Sequence, residues 1–171
     1  KYKKRKDFAN TIFIITGDHR MPEIPMATKI DRFHVPLIIY SPLLKHPVKF
    51  ESISTHFDIA PTIVAFMNKN YGVAKPLVTN WIGTGIDTVR QFRNVHSYPL
   101  MMTKAQMIDY IYGDYVLNGT DLYQIGPNMS MTLSPEKDAQ SAVKVNFDIF
   151  KQKNEKIQKG TKLLPDSVRL K

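Results

Sequence analysis

The stretch that most constrains this chain is residues 11–20, TIFIITGDHR. Residues 11–16 form a β-branched and aromatic run between Ala9-Asn10 and Gly17. A short, continuous apolar run with such flanks predicts a strand buried on both faces, as in a parallel sheet. Gly17 lets the chain turn sharply where the strand ends. Asp18 and His19 then stand at the carboxyl edge, where open α/β sheets place their ligands. A carboxylate and an imidazole are both good ligands for a divalent metal. The same pair also occurs in a plain solvated turn, so its neighbours have to decide.

The chain has 171 residues, 43% of them hydrophobic, enough for a core in one domain or a large part of one. It opens on Lys1 rather than Met, which suggests a piece of a longer protein. It contains neither a bilayer-length apolar run nor a signal-peptide pattern, so an anchor or targeting element is expected upstream. The absence of cysteine excludes disulfides, thiolate ligands and cysteine nucleophiles within these residues. The net charge of +9 is concentrated in Lys1, Lys3, Lys4, Arg5 and Lys6 and again across residues 151–162. Such groups read first as solvated helix faces or chain ends, and next as contacts to an anionic lipid surface. Nucleic acid is not expected, because no basic stretch is interleaved with stacking aromatics.

Taken in order, residues 1–8 read as the tail of a helix. Residues 18–32, with Pro22 and Pro25, lack periodicity and read as an active-site loop. Residues 34–40, HVPLIIY, repeat the buried-strand pattern, and residues 50–54 form a possible short edge strand. A helix should follow, capped by Thr55 or Asp58, with Pro61 in its first turn and Ile59, Ile63, Phe66 and Met67 on a buried face. It should stop within residues 68–72. Residues 81–87, WIGTGID, form a glycine-containing loop before a possible strand at 89–92. Runs at 107–112, 115–117 and 122–125, separated by Gly113-Asp114 and Asn118-Gly119, predict an antiparallel meander. Ser134-Pro135-Glu136 opens a helix that runs to about Lys159, with Gly160 as its stop. Val143, Phe147, Phe150 and Ile157 should pack it on the sheet. Residues 161–171 read as a poorly ordered tail.

Three segments in this order, TIFIITGDH, RFHVPLIIYSP and STHFDIAPTIVAFM, resemble the C-terminal half of the alkaline phosphatase superfamily. They look most like its sulfatase and lipoteichoic acid synthase (phosphoglycerol transferase) branch. There a buried strand ends in a metal-binding Asp-His, a strand opening on Val-Pro follows, and then a Ser-His-x-Asp-x-x-Pro-Thr helix start. Here the last has one extra residue between Ser54 and His56. WIGTGID, DYIYGDYVL and DLYQI resemble the small C-terminal antiparallel sheet of sulfatases, so the likeness extends over roughly residues 8–157.

The resemblance implies an α/β fold: part of an alkaline-phosphatase-like mixed or parallel sheet flanked by helices, then a small antiparallel sheet and a helix. It divides the chain into residues 1–85, the C-terminal half of the core, residues 86–160, an antiparallel subdomain with its packing helix, and the tail. It implies metal-assisted transfer at a phosphate or sulfate ester, with Asp18 and His19 as ligands to a divalent ion (Mn, Mg, Ca or Zn). The nucleophile, a threonine, serine or formylglycine in the family, belongs to the N-terminal half, so no catalytic residue is expected here. Arg20 stands where relatives commonly carry glycine or an aromatic residue. It reads either as a bidentate contact to the substrate anion or as the partner of Glu23 or Asp31. His34, before the Val-Pro, is a second candidate substrate contact. His56 reads as an orienting residue, Asp58 as a helix cap, and His46 and His96 as loop histidines. The expected partners are the ester substrate, the N-terminal half of the same protein and an anionic membrane lipid, in an extracytoplasmic setting.

A different class of function is a non-catalytic sulfatase-like domain that docks on anionic membrane or polymer through its basic surface. Asn118-Gly119-Thr120 and Asn128-Met129-Ser130 match the glycosylation sequon. A tight turn accounts for the first and chance for the second.

Overall fold

The computed structural model describes residues 1–103 and 106–160, so the expectation for the tail lies outside the described residues. Over the described residues the chain is mixed α/β, with a two-stranded sheet, a five-stranded antiparallel sheet and two α-helices. It divides into two compact units, Lys1–Lys49 and Phe50–Lys171.

In the first unit the apolar run forms β1, Phe13–Thr16, which pairs with β2, Leu37–Tyr40. The pairing is antiparallel, in register from Phe13↔Tyr40 to Thr16↔Leu37. This corrects the expectation of parallel strands buried on both faces. Side chains alternate across a strand, so a two-stranded ribbon leaves alternate residues outside. Ile15 and Ile38 are accordingly about half exposed, at 55% and 51%. Residues 1–8 are not a helix tail, since only 3-10 turns form, at Tyr2–Lys4 and Phe8–Asn10. Their aromatic rings have a local use. Phe8 lies 5.8 Å from Phe13 and 6.5 Å from Tyr40, and Tyr2 meets Phe13 edge-on at 5.8 Å.

In the second unit α1, Ile59–Tyr71, follows a 3-10 turn at His56–Asp58. Thr55 and Asp58 form a reciprocal capping box at this start. Gly72, at φ 67°, closes the helix in the left-handed conformation that glycine accepts most readily. The expected buried face, carrying Ile59, Ile63, Phe66 and Met67, is half-buried. Residues 50–54 and 89–92 form no strands. At the latter, the Asp87 carboxylate accepts the Val89 N–H (3.0 Å) and the Nε and Nη2 donors of Arg93 (2.6 and 3.1 Å), which folds the segment into a local turn.

The meander forms as the turn chemistry requires. Its strands are β3, Ser97–Thr103; β4, Gln106–Tyr112; β5, Tyr115–Asn118; β6, Asp121–Ile125; and β7, Met131–Leu133, in sequential order. Gly113 and Gly119, at φ 54° and 61°, turn two-residue hairpins. The sequence pattern missed β3, whose Pro99 suits an edge strand because proline cannot donate to a ladder. α2, Lys137–Lys159, covers one sheet face with Val143 and Phe147 against Tyr110, Leu117 and Leu122. The Tyr110 and Phe147 rings stack 4.8 Å apart, and Phe150 is half-buried beside them. Ile157, expected in this interface, is 46% exposed because the helix outruns the sheet. Alternation sends Tyr98, Ile111 and Val116 to the opposite face, where all three are buried. Residues 50–85 share a unit with this sheet rather than with residues 1–49. Among the described residues, no helix is long and apolar enough to cross a membrane.

Candidate metal centre and a buried carboxylate

Asp18 and His19 follow β1 at a sharp bend. A Cβ on Gly17 would lie 3.1 Å from the His19 carbonyl oxygen and 3.4 Å from the Val35 side chain, so the smallest residue allows this close turn. Both site side chains project into solvent, with 93% of Asp18 and 75% of His19 exposed. The Asp18 Oδ1 accepts the His19 backbone N–H at 3.0 Å and lies 3.8 Å from His19 Nε2. His19 Nδ1 lies 2.7 Å from the Arg20 carbonyl oxygen. A carbonyl can only accept, so Nδ1 carries the proton and Nε2 keeps its lone pair in neutral His19. The Arg20 carbonyl, and secondarily the Asp18 carboxylate, raise the His19 pKa above its ordinary value.

This arrangement suits a metal ligand. A ligating histidine commonly gives its second N–H to a backbone carbonyl, which fixes the tautomer and the ring's direction. A nitrogen and an oxygen 3.8 Å apart can share one ion through bonds of about 2.0–2.2 Å. Among the described residues no group of three or more His, Asp or Glu side chains converges. Asp18 and His19 therefore offer two ligands, and a complete site takes more.

Arg20 does not pair with Glu23 or Asp31. Its guanidinium donates to the carbonyls of Met21 (2.7 Å), Ile24 (3.0 Å) and Pro22 (3.4 Å), gathering the loop around one cation. Asp31 is occupied separately, accepting the backbone N–H groups of Ala27 and Thr28 at 2.9 and 2.8 Å. His34 is exposed, and its N–H closes a turn on the Asp31 carbonyl at 3.1 Å.

The densest polar constellation lies in the second unit, around Asp58. Its side chain is fully buried. Oδ2 accepts the Thr55 N–H at 2.8 Å and the Tyr98 hydroxyl at 2.5 Å. Oδ1 accepts the Thr84 and Gly85 N–H groups, both at 3.1 Å, and lies 4.0 Å from His96 Nδ1. Thr62 Oγ1 donates to the Asp58 carbonyl (2.6 Å) and accepts the Ile86 N–H (2.9 Å). The WIGTGID loop is thus bound to the start of α1 through its own backbone. Burial, then the bonded Asp58 carboxylate, push the Tyr98 phenol far above its ordinary pKa.

Asp58 is therefore more than the helix cap that the sequence suggests, and His96 is not a loop residue in solvent. His96 is buried, stacks on Tyr98 at 5.3 Å and meets Thr84 Oγ1 at 3.2 Å through Nδ1. The Thr-x-x-Asp spacing exposes the local half of this arrangement. Its remaining partners lie 26, 27 and 40 residues away, beyond any periodic signal. No protein-family model, curated protein or solved structure matches this chain.

Proposed function

We propose that this chain is the C-terminal part of a metal-dependent hydrolase or transferase acting on phosphate or sulfate esters. In this reading Asp18 and His19 hold one side of a divalent metal, and further ligands and the nucleophile come from the N-terminal half of the same protein. The observation that carries the reading is the Nδ1–H to Arg20 carbonyl bond, which leaves His19 Nε2 as a lone-pair donor beside Asp18. The resemblance of residues 8–157 to the sulfatase and phosphoglycerol transferase branch supplies the substrate class. When bound, such a metal withdraws charge from the ester oxygens and stabilises an oxyanion nucleophile. The residues of this chain orient the ligands: Gly17 sets the bend, and Arg20 holds both the loop and, through its carbonyl, the imidazole.

The test is metal content of the full-length protein by elemental analysis, measured beside ester hydrolysis. Asp18→Ala and His19→Ala should each lower bound metal by about tenfold or more and remove activity. Unchanged metal content in Asp18→Ala would overturn the reading. Protons compete with metal for Nε2, so affinity should fall as pH drops through the His19 titration. The Arg20 carbonyl and then the Asp18 carboxylate raise the His19 pKa, which moves that loss toward higher pH than for a free imidazole.

A further inference from the structure

A cleft of about 390 Å³ opens between α2 and the β4–β5 hairpin. Its floor is apolar, made by Met107, Leu117 and Phe147, and Ile108, 40% exposed, stands at its edge. Lys144 and Lys151 line it from α2. Seven residues apart, they share one helix face about 10 Å apart. Lys151 Nζ lies 4.5 Å from the Phe147 ring centroid and 2.6 Å from Asp148 Oδ1, so the cleft's carboxylate is already neutralised. No carboxylate pairs with Lys144 among the described residues. The surplus charge in the cleft is therefore positive. α2 as a whole carries Lys137, Lys144, Lys151, Lys153, Lys156 and Lys159 against Asp138, Asp148 and Glu155. Glu155 is paired with Lys159.

An apolar floor beneath lysines is the arrangement that accepts an anionic headgroup together with the first part of an apolar tail. We propose that this cleft is a docking site for acidic phospholipid at a bilayer surface. Lys144 takes the phosphate, with Lys151, held by Asp148, at its flank, and Met107, Ile108 and Phe147 take the glycerol and proximal acyl carbons. Charge complementarity selects the occupant, since a neutral bilayer would leave Lys144 desolvated without a counter-charge. The proposal is independent of the metal reading and predicts no effect of Asp18→Ala on vesicle binding.

The experiment is co-sedimentation of the 171-residue chain with phosphatidylcholine vesicles, with and without an equal share of phosphatidylglycerol, at low and high salt. Binding should require phosphatidylglycerol and weaken with salt. Lys144→Gln/Lys151→Gln should weaken it about 30-fold, from about fivefold for each surface cation. Ile108→Ser, which leaves the charge unaltered, should weaken it severalfold. Lys3→Gln/Lys4→Gln makes the same charge change elsewhere and should alter it by no more than about twofold. Equal losses in the two double variants would mean general attraction and would overturn the cleft. Short-chain phosphatidylglycerol below its micelle concentration should shift the NMR signals of residues 107–108 and 144–151. Inorganic phosphate that matched those shifts and affinity would reduce the site to an anion contact and also overturn the proposal.

Discussion

The side chain with most at stake is Asp58. A buried carboxylate is costly unless its oxygens are bonded, and here five donors from three separate segments reach it. Asp58→Asn replaces one oxygen with a donor and sets N–H groups against N–H groups or a hydroxyl. It should destabilise the chain by about 3–5 kcal/mol, read as a lower denaturant midpoint with an unchanged slope. Tyr98→Phe removes one bond to the charge and should cost about 1.5–3 kcal/mol. The pH dependence has a definite sign. Tyr98 is harder to ionise folded than unfolded, so its contribution is complete below the ordinary tyrosine pKa of 10.0. It is lost as pH climbs above that value, where the unfolded chain ionises first. Stability of the native sequence should therefore fall more steeply in alkali than that of Tyr98→Phe, as paired denaturation curves on either side of that pH would establish.

At the level of elements, the chain's junctions are backbone contacts. Gly83 lies against the last turn before α1, where an added Cβ would come within 2.7 Å of the Asp58 nitrogen and closer still to the Phe57 carbonyl. Those atoms belong to backbone held by the capping box and cannot swing aside. Gly83→Ala should cost about 2 kcal/mol or more and release the loop from Asp58. Faster exchange of the Thr84 and Gly85 amides, whose bonds to Oδ1 would break, checks the mechanism as well as the magnitude. Gly119→Ala meets nothing within 4 Å but keeps a φ of 61°, so it is strained by conformation alone and should cost about 1 kcal/mol. A larger loss at Gly119 than at Gly83 would contradict the close-packing account.

Over the whole molecule, burial is uneven. The second unit holds the core of Tyr110, Leu117, Leu122, Val143 and Phe147, whereas the first buries few residues and leaves Ile15, Ile38 and Tyr40 half exposed. A two-stranded ribbon alone is marginal in water. In native-state hydrogen exchange, amides of β1 and β2 should exchange about 100-fold faster than those of β4 and β5. Equal protection would mean that the first unit has the stability of the second. Much of this organisation was legible in the sequence because its causes are local. Gly113 and Asn118-Gly119 set the hairpins, Thr55 and Asp58 the start of α1, and Gly72 its end, each through conformational preferences acting within a few residues. The bend that presents Asp18 and His19 is local in the same way. Strand direction, the depth of burial of β1 and the edge strand β3 were not legible, because an apolar run does not say how many strands will flank it. Nor were the partners of Asp58 and His96: a carboxylate bonded to residues 26–40 positions away leaves no periodic trace, and only the folded chain, which must satisfy every charge it buries, brings them together.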